Sequence, residues 1–279
     1  MRGDLKGTHK ARLGKVAIMS RTVVVTGAAS GIGATTVELL KERGSKVIGV
    51  DIHNADVNSD LSTPEGRKEA VAKVLELSSG KVDAIVACAG LAHPIAKTVS
   101  VNFFGVVEFL TGLLPTLAKS STPRVSVTSS MASLMPNSPE LVEAMLAGNE
   151  GLALSLAQGL VDQGDESAAL IYGSTKRAIS RWIRRECIKP EWAGAGIPLN
   201  AVGPGIVETP MVADMISTAE ARAAIDTMVP MPLNHYMKPM QVSYLLAWLV
   251  SEENTHTTGQ TIYIDGGSDA ALRGDNVWK

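Results

Sequence analysis

A doubly wound α/β domain on a parallel sheet is the fold class this sequence predicts, on three observations. Short runs rich in Val, Ile and Thr alternate with longer helical stretches from residue 20 onward, the order of strands joined by helical crossovers. The first run, Thr22–Thr26, passes straight into Gly27-Ala28-Ala29-Ser30-Gly31-Ile32-Gly33 and then into a helical pattern. Strand, glycine turn and helix in that order suit a Rossmann-like nucleotide site, where the helix N-terminus faces a phosphate. Finally, 279 residues at 45% apolar content suffice for a single domain with a buried core and about seven strands.

Composition narrows the function classes. A net charge of -2 gives no basic footprint for nucleic acid. Two cysteines, Cys88 and Cys187, form no disulfide framework and read as reduced thiols of a cytoplasmic protein. No run approaches the ~18 apolar residues of a membrane span. His9, His53, His93, His235 and His256 are scattered without ligand spacing, so no metal site is expected. Residues 1–18 carry Arg2, Lys6, Lys10, Arg12 and Lys15 against Asp4 alone and read as a leader ahead of a domain over 19–279. They lack the long apolar core of a secretory signal.

The elements follow in order. Thr22–Thr26 is a β-branched run, as in a strand buried on both faces. In the turn after it, Gly27, Gly31 and Gly33 permit a tight bend, close approach to a phosphate and close helix packing. Residues 46–50 form a second strand ending at Asp51, 18 residues beyond Gly33, near where an acidic residue takes the ribose hydroxyls of NAD. A carboxylate there repels a 2′-phosphate, and the turn offers Ser30 rather than a base, so NAD is favoured over NADP. Asp60 and Leu61 follow a short third strand and face the adenine. Ser62 or Thr63 caps a helix over Pro64–Leu77, which opens on proline. Residues 83–88 are the fourth strand, ending in Ala89-Gly90, and a helix from near Val99 carries Asn102. Arg124–Thr128 is the fifth strand, ending in Ser129-Ser130.

Residues 139–147 and 150–158 read as amphipathic helices. Ile171-Tyr172-Gly173-Ser174-Thr175-Lys176 then opens a long helix, with Tyr172 and Lys176 one turn apart on one face. A cation beside a phenol favours the phenolate and lowers its pKa from ~10, which makes the two a candidate acid/base pair. Arg181, Arg184 and Arg185 further along read as a solvated face. Residues 197–202 form the sixth strand, broken by Pro204-Gly205, and Thr261–Ile264 the last, after a helix over 239–250. Six of the eleven methionines lie between 211 and 240, where soft apolar side chains adapt to irregular shapes, whether of a substrate or of the core.

Taken together, Thr26-Gly27-x-x-x-Gly31-x-Gly33, Asp51, Asp60, Ala89-Gly90, Asn102, Ser130, Tyr172-x-x-x-Lys176, Asn200-x-Val202-x-Pro204-Gly205, Thr209 and Asp265-Gly266-Gly267 resemble the short-chain dehydrogenase/reductase family from about residue 20 to the end. Within it the chain is similar to the bacterial hydroxysteroid dehydrogenase/carbonyl reductase group, through Asp60-Leu-Ser-Thr-x-Glu-Gly-Arg67, Val101-Asn102-x-Phe104-Gly105 and the long segment before Tyr172. Coniferyl-alcohol dehydrogenases are similar for the same reasons.

The resemblance implies an NAD(H)-dependent alcohol/ketone oxidoreductase. Tyr172 is the general acid/base, and Ser130 is favoured over Ser129 for holding the substrate oxygen. Lys176 lowers the Tyr172 pKa and holds the ribose, and Asn102 holds a water that links Lys176 to solvent. The glycine turn with Ser30 and Ile32, together with Asp51, Asp60, Leu61, Ala89, Gly90, Pro204, Gly205, Ile206 and Thr209, binds the cofactor. Residues 206–240 are the mobile substrate loop, taking a bulky apolar, steroid-like alcohol or ketone. Coniferyl or other aryl-allylic alcohols and xenobiotic ketones are the alternatives, and a non-catalytic NAD-binding interaction protein is the reading from a different class.

The chain departs from the family's pattern twice. Cys88 stands where asparagine is usual, which puts local hydrogen bonding in question. Ser130 and Tyr172 are 42 positions apart, far more than is usual, through a helical insertion at 131–169. That insertion is expected to cover one oligomer interface, leaving a homodimer, and to wall part of the substrate cleft.

Overall fold

The computed structural model describes residues 20–278. The expected leader, 1–18, lies outside the described residues. Seven strands are present among them: β1 (Thr22–Thr26), β2 (Lys46–Asp51), β3 (Val57–Asn58), β4 (Ala84–Ala87), β5 (Arg124–Thr128), β6 (Leu199–Pro204) and β7 (Thr261–Ile264). They form one sheet in the order β3-β2-β1-β4-β5-β6-β7, and every pair is parallel. The chain therefore winds outward from β1 in one direction and then from β4 in the other. The switch point between β1 and β4 is where such sheets bind ligands, at the carboxyl ends of the strands.

Parallel pairing requires crossovers, and helices cover both faces. The helices are α1 (Gly31–Glu42), α2 (Pro64–Leu77), α3 (Lys97–Val99), α4 (Gly105–Leu117), α5 (Pro139–Leu146), α6 (Glu150–Asp162), α7 (Asp165–Ala168), α8 (Leu170–Glu186), α9 (Ala219–Met228), α10 (Pro239–Leu249) and α11 (Ser268–Arg273). Side chains alternate across the sheet with the strand period of two. Val24, Ile85, Val125 and Val127 enter a core shared with α2, α4, α5, α6 and α8. Val23, Val25 and Val86 enter the opposite core, shared with α1 and α10.

Three local outcomes refine the expectations. Thr63, not Ser62, caps α2, its hydroxyl accepting from Gly66 N at 3.0 Å. β6 runs on to Pro204 instead of ending at 202. Ala201 N and Gly205 N donate to Gln260 O and Ile264 O on the β7 side. By alternation Pro204 points its nitrogen toward β5, beyond the last paired residue there, where no donor is required. Finally, α3 and α4 join through a π turn, Ser100–Phe104, into one helix over Lys97–Leu117. That helix is long and apolar enough to cross a membrane by length and composition, although the sequence reading found no such run. Its most apolar stretch is 61% buried within the protein, and a core helix meets the same criterion.

Candidate active site

The carboxyl ends of β1, β2, β4, β5 and β6 open into a cleft of about 480 Å³. Its phosphate end is built by the glycine turn. Gly27 has φ +69°, and a Cβ there would stand 2.7 Å from Ala89 N. A Cβ on Gly33 would stand 2.0 Å from Gly27 O, so only glycine lets α1 begin this close to β1. Ser30 precedes α1 in extended conformation, and its hydroxyl makes no capping bond. Thr209 closes over the turn, its Cγ2 3.3 Å from the position of a Cβ on Gly31.

Asp51 lies at the end of β2, with Oδ2 accepting from Ala29 N at 2.9 Å and Oδ1 from Ile52 N at 2.7 Å. The carboxylate is thus oriented by the turn and keeps lone pairs for a diol. Asp60 and Leu61 form the next wall, and Lys97 Nζ reaches Asp60 Oδ2 at 3.1 Å. A glycine cradle without Cβ atoms, a helix N-terminus with an unengaged hydroxyl and an oriented carboxylate fit a dinucleotide.

At the other end of the cleft, α8 brings Tyr172 and Lys176 to one face, with Lys176 Nζ 5.6 Å from the phenol ring centroid. Gly173, Ser174 and Thr175 put small residues in the first turns of α8, and this permits close packing on that face. A Cβ on Gly173 would lie 3.0 Å from Pro136 O and 3.2 Å from Ala132 O, so the helix presses on the 3-10 turn that follows Ser130. Ser130 caps that turn, its hydroxyl accepting from Ala132 N at 3.1 Å, and it lines the cleft together with Tyr172.

Ser129 and Ser130 separate cleanly. Ser129 is buried, bonding Lys176 O at 3.2 Å and Ser180 Oγ at 2.8 Å, which fixes β5 to α8. Ser130 is half-buried beside Tyr172.

Burial dominates the electrostatics of the pair. Burial pushes the Tyr172 phenol above its ordinary value, and the opposing influence is the hydrogen bond from Ser130, not Lys176. Lys176 is itself pushed down to about 8 by burial. One of its three ammonium donors goes to Thr128 O, at 2.9 Å, and the ammonium lies over the Tyr172 ring.

Asn102 sits in the π turn and is 1% exposed, behind the cleft wall. Its Oδ1 accepts from Leu91 N at 2.8 Å, and its Nδ2 donates to Leu91 O at 2.9 Å and to Thr175 Oγ1 at 3.1 Å. Asn102 therefore locks the loop after β4 to α8. A Cβ on Gly90 would meet Asn102 Oδ1 at 3.2 Å and Lys176 Nζ at 3.7 Å, so glycine keeps the three together.

Every expected cofactor residue lines the cleft except Ile206. Its side chain turns into an apolar cluster with Met131, Ile216 and Ile225, and Val207 takes its place on the wall. The segment over 206–240 is not one irregular loop but contains α9 and two 3-10 turns. Met211 lines the cleft, whereas Met237 is core. No residue of 131–169 lines the cleft, contrary to the expectation that the insertion walls it. α5 packs on α8 instead, with Glu143 paired to Arg181 at 2.6 Å.

Cys88 receives a hydrogen bond from Thr128 Oγ1 at 3.1 Å, and burial raises its thiol to about 11. It substitutes for asparagine as a packed, un-ionised group. Lys97 and Thr128 line the cleft but carry no local motif, and nothing short of the three-dimensional arrangement singles them out, whereas Met211 belongs to the methionine-rich stretch. Among the described residues, no cluster of histidine, cysteine or carboxylate side chains could hold a metal ion.

Comparison with known proteins agrees with this geometry. Residues 21–142 match the short chain dehydrogenase family model, and residues 163–269 match the model described as enoyl-(acyl carrier protein) reductase. The stretch between the two matches falls within the insertion. A 3-alpha-hydroxysteroid dehydrogenase/carbonyl reductase of Comamonas testosteroni is 36% identical, covering 90% of this chain and 97% of its own. A coniferyl-alcohol dehydrogenase of a Pseudomonas species is 26% identical, covering 90% of this chain and 97% of its own. Among solved structures, the 3-alpha-hydroxysteroid dehydrogenase of Pseudomonas sp. B-0831, complexed with NADH, superposes with a TM-score of 0.81 at 38% identity, covering 90% of this chain and 98% of that one.

Proposed function

We propose, from the premise that this chain belongs to the short-chain dehydrogenase/reductase family and is an oxidoreductase of hydroxyl and carbonyl groups, that it moves hydride between NAD and a bulky apolar alcohol or ketone of the hydroxysteroid kind. The observation that carries this reading is the convergence of Ser130, Tyr172 and Lys176 on one cleft with the glycine turn and Asp51, Lys176 lying over the Tyr172 ring. The NAD preference rests on Asp51, whose carboxylate would accept ribose hydroxyls and repel a phosphate in their place. The substrate class rests on the relatives of that name and on the apolar Leu91, Met211 and Val212 beside the cleft.

When bound, the nicotinamide supplies the hydride acceptor or donor. The protein handles the proton. In oxidation Tyr172 takes the hydroxyl proton of the substrate, and in reduction it returns one to the carbonyl oxygen. Ser130 holds that oxygen and stabilises charge developing on it. Lys176 offers its ammonium to the ribose hydroxyls, while Asn102 keeps the loop after β4 against α8. A cytoplasmic homodimer belongs to the same proposal.

Two measurements test it. Tyr172→Phe is expected to lower kcat by at least ~10² with NAD still bound, the scale of acid/base catalysis. NADH formation is expected to be faster with a 3α-hydroxysteroid than with coniferyl alcohol. Near-normal turnover by the variant would remove Tyr172 from the chemistry, and preference for coniferyl alcohol would replace the steroid.

A further inference from the structure

The guanidinium of Arg67 is 1% exposed and lies behind the cofactor cleft, where every one of its donors is engaged. Nε donates to Leu61 O at 2.9 Å and Nη2 to Ser62 O at 3.2 Å, so the adenine-side wall is held by its backbone. Nη2 also reaches Ser100 O, at 3.4 Å, in the first residue of the π turn. The remaining contacts go to carboxylates: Glu108 at 3.1 Å, and Glu150 bidentate at 2.8 and 2.6 Å. The guanidinium also lies 5.9 Å from the Phe104 ring centroid.

Glu150 is the opening residue of α6, inside the insertion. Its carboxylate is bonded by Arg67 through both oxygens. The insertion contributes nothing to the cleft surface, yet it supplies the counter-charge for the residue that fastens two cleft walls together.

We infer that Arg67 is a positioning residue for the adenine half of the bound dinucleotide, and that Glu150 is the counter-ion that holds it in place. The insertion thus completes the cofactor site from behind. A guanidinium suits this role because its planar fork serves a bidentate carboxylate and three carbonyls at once, which an ammonium cannot do. Without Glu150, a buried cation would be drawn toward Glu108 at the surface, and its bonds to Leu61 O and Ser62 O would loosen. The adenine wall would then lose its register against the π turn.

This inference rests on the dinucleotide reading of the cleft, and the test separates the two. AMP, nicotinamide mononucleotide and NAD are titrated calorimetrically into the full chain, Glu150→Gln, Glu150→Asp and Arg67→Lys, and the melting temperature of each protein is recorded. Glu150→Gln and Arg67→Lys are expected to weaken AMP and NAD about tenfold, a loss on the scale of one well-placed interaction. Nicotinamide mononucleotide is expected to bind them as it binds the unaltered chain, and Glu150→Asp to restore most of the AMP affinity. If Arg67→Lys does not fold, Glu150→Gln alone carries the comparison. A lowered melting temperature with unchanged AMP affinity would make the pair a stability element only and overturn the inference. Failure of the unaltered chain to take up either AMP or NAD would overturn the dinucleotide reading and the inference with it.

Discussion

At the scale of single residues, the acid/base group is tuned by a neighbour that sequence spacing undervalues. Tyr172 and Lys176 are visible four positions apart on a helix, and that spacing invites the view that the lysine tunes the tyrosine. The structure assigns the downward influence to Ser130, against a larger upward push from burial. The raised pKa favours the phenol that donates in reduction, and oxidation draws on the phenolate, whose share grows as pH rises. Ser130→Ala removes the group that favours the phenolate, so the Tyr172 pKa should rise further. At any fixed pH the phenolate fraction then falls. The oxidation rate is expected to drop by ~10²–10³, as when one oxyanion donor is lost, and its pH profile to move to higher pH. Rates measured across pH 6–10 in both directions check this, and an oxidation profile that keeps its position would return the tuning to Lys176. The proposed catalytic residues are thus legible by type and spacing, but their couplings are not. Thr128, which holds the Lys176 ammonium, is 48 positions away from it in the chain, and nothing local joins them.

At the scale of elements, the phosphate turn was the most legible feature, because its constraint is steric and falls on consecutive residues. A Cβ on Gly33 would stand 2.0 Å from Gly27 O, a backbone atom that cannot swing aside. α1 is also fixed on its far side, where Thr36 Oγ1 donates to Ser243 Oγ of α10 at 2.9 Å in the buried core. Gly33→Ala must therefore push α1 away from β1. It is expected to cost ~1–3 kcal/mol of stability, as overpacking does, and to weaken NAD at least tenfold because the helix N-terminus retreats from the phosphate. Chemical denaturation and calorimetric titration give the two numbers, and unaltered NAD affinity would show that the close start of α1 is not needed for binding.

Other element-level features were hidden in the sequence. The π turn at Ser100–Phe104 has the same apolar pattern as an ordinary helix and differs by one residue in its hydrogen-bond register, which periodicity cannot resolve. The continuation of β6 through Pro204 depends on where a neighbouring strand ends, and that is a property of the sheet rather than of the run itself.

At the scale of the molecule, the parallel sheet was legible because alternating strands and helices admit few topologies, whereas the placement of the insertion was not. Its helices could be read from their apolar period, but the face they cover is decided by tertiary contacts such as Glu143 with Arg181 and Glu150 with Arg67. The consequence for assembly follows from surfaces. α5 and α6 lie against α8, so a second copy cannot reach that part of the α8 face. The opposite end of the sheet is different. Among the described residues β7 is an edge strand with β6 as its one neighbour, and its residues are all half-exposed. α10 shares a core cluster with Ile262 and Ile264 of β7, and its Tyr244 is 52% exposed. An uncovered edge with apolar side chains invites association, and a two-fold contact between copies covers it once. A dihedral tetramer requires a second self-complementary face, and the role proposed for the insertion is to cover it. Light scattering of the purified chain is expected to give the mass of a dimer, and Tyr244→Arg, which sets a charge in the apolar patch, to shift it toward monomer. A stable tetramer would mean that the insertion leaves a second face open, and an unchanged dimer in Tyr244→Arg would move the contact away from the β7 edge.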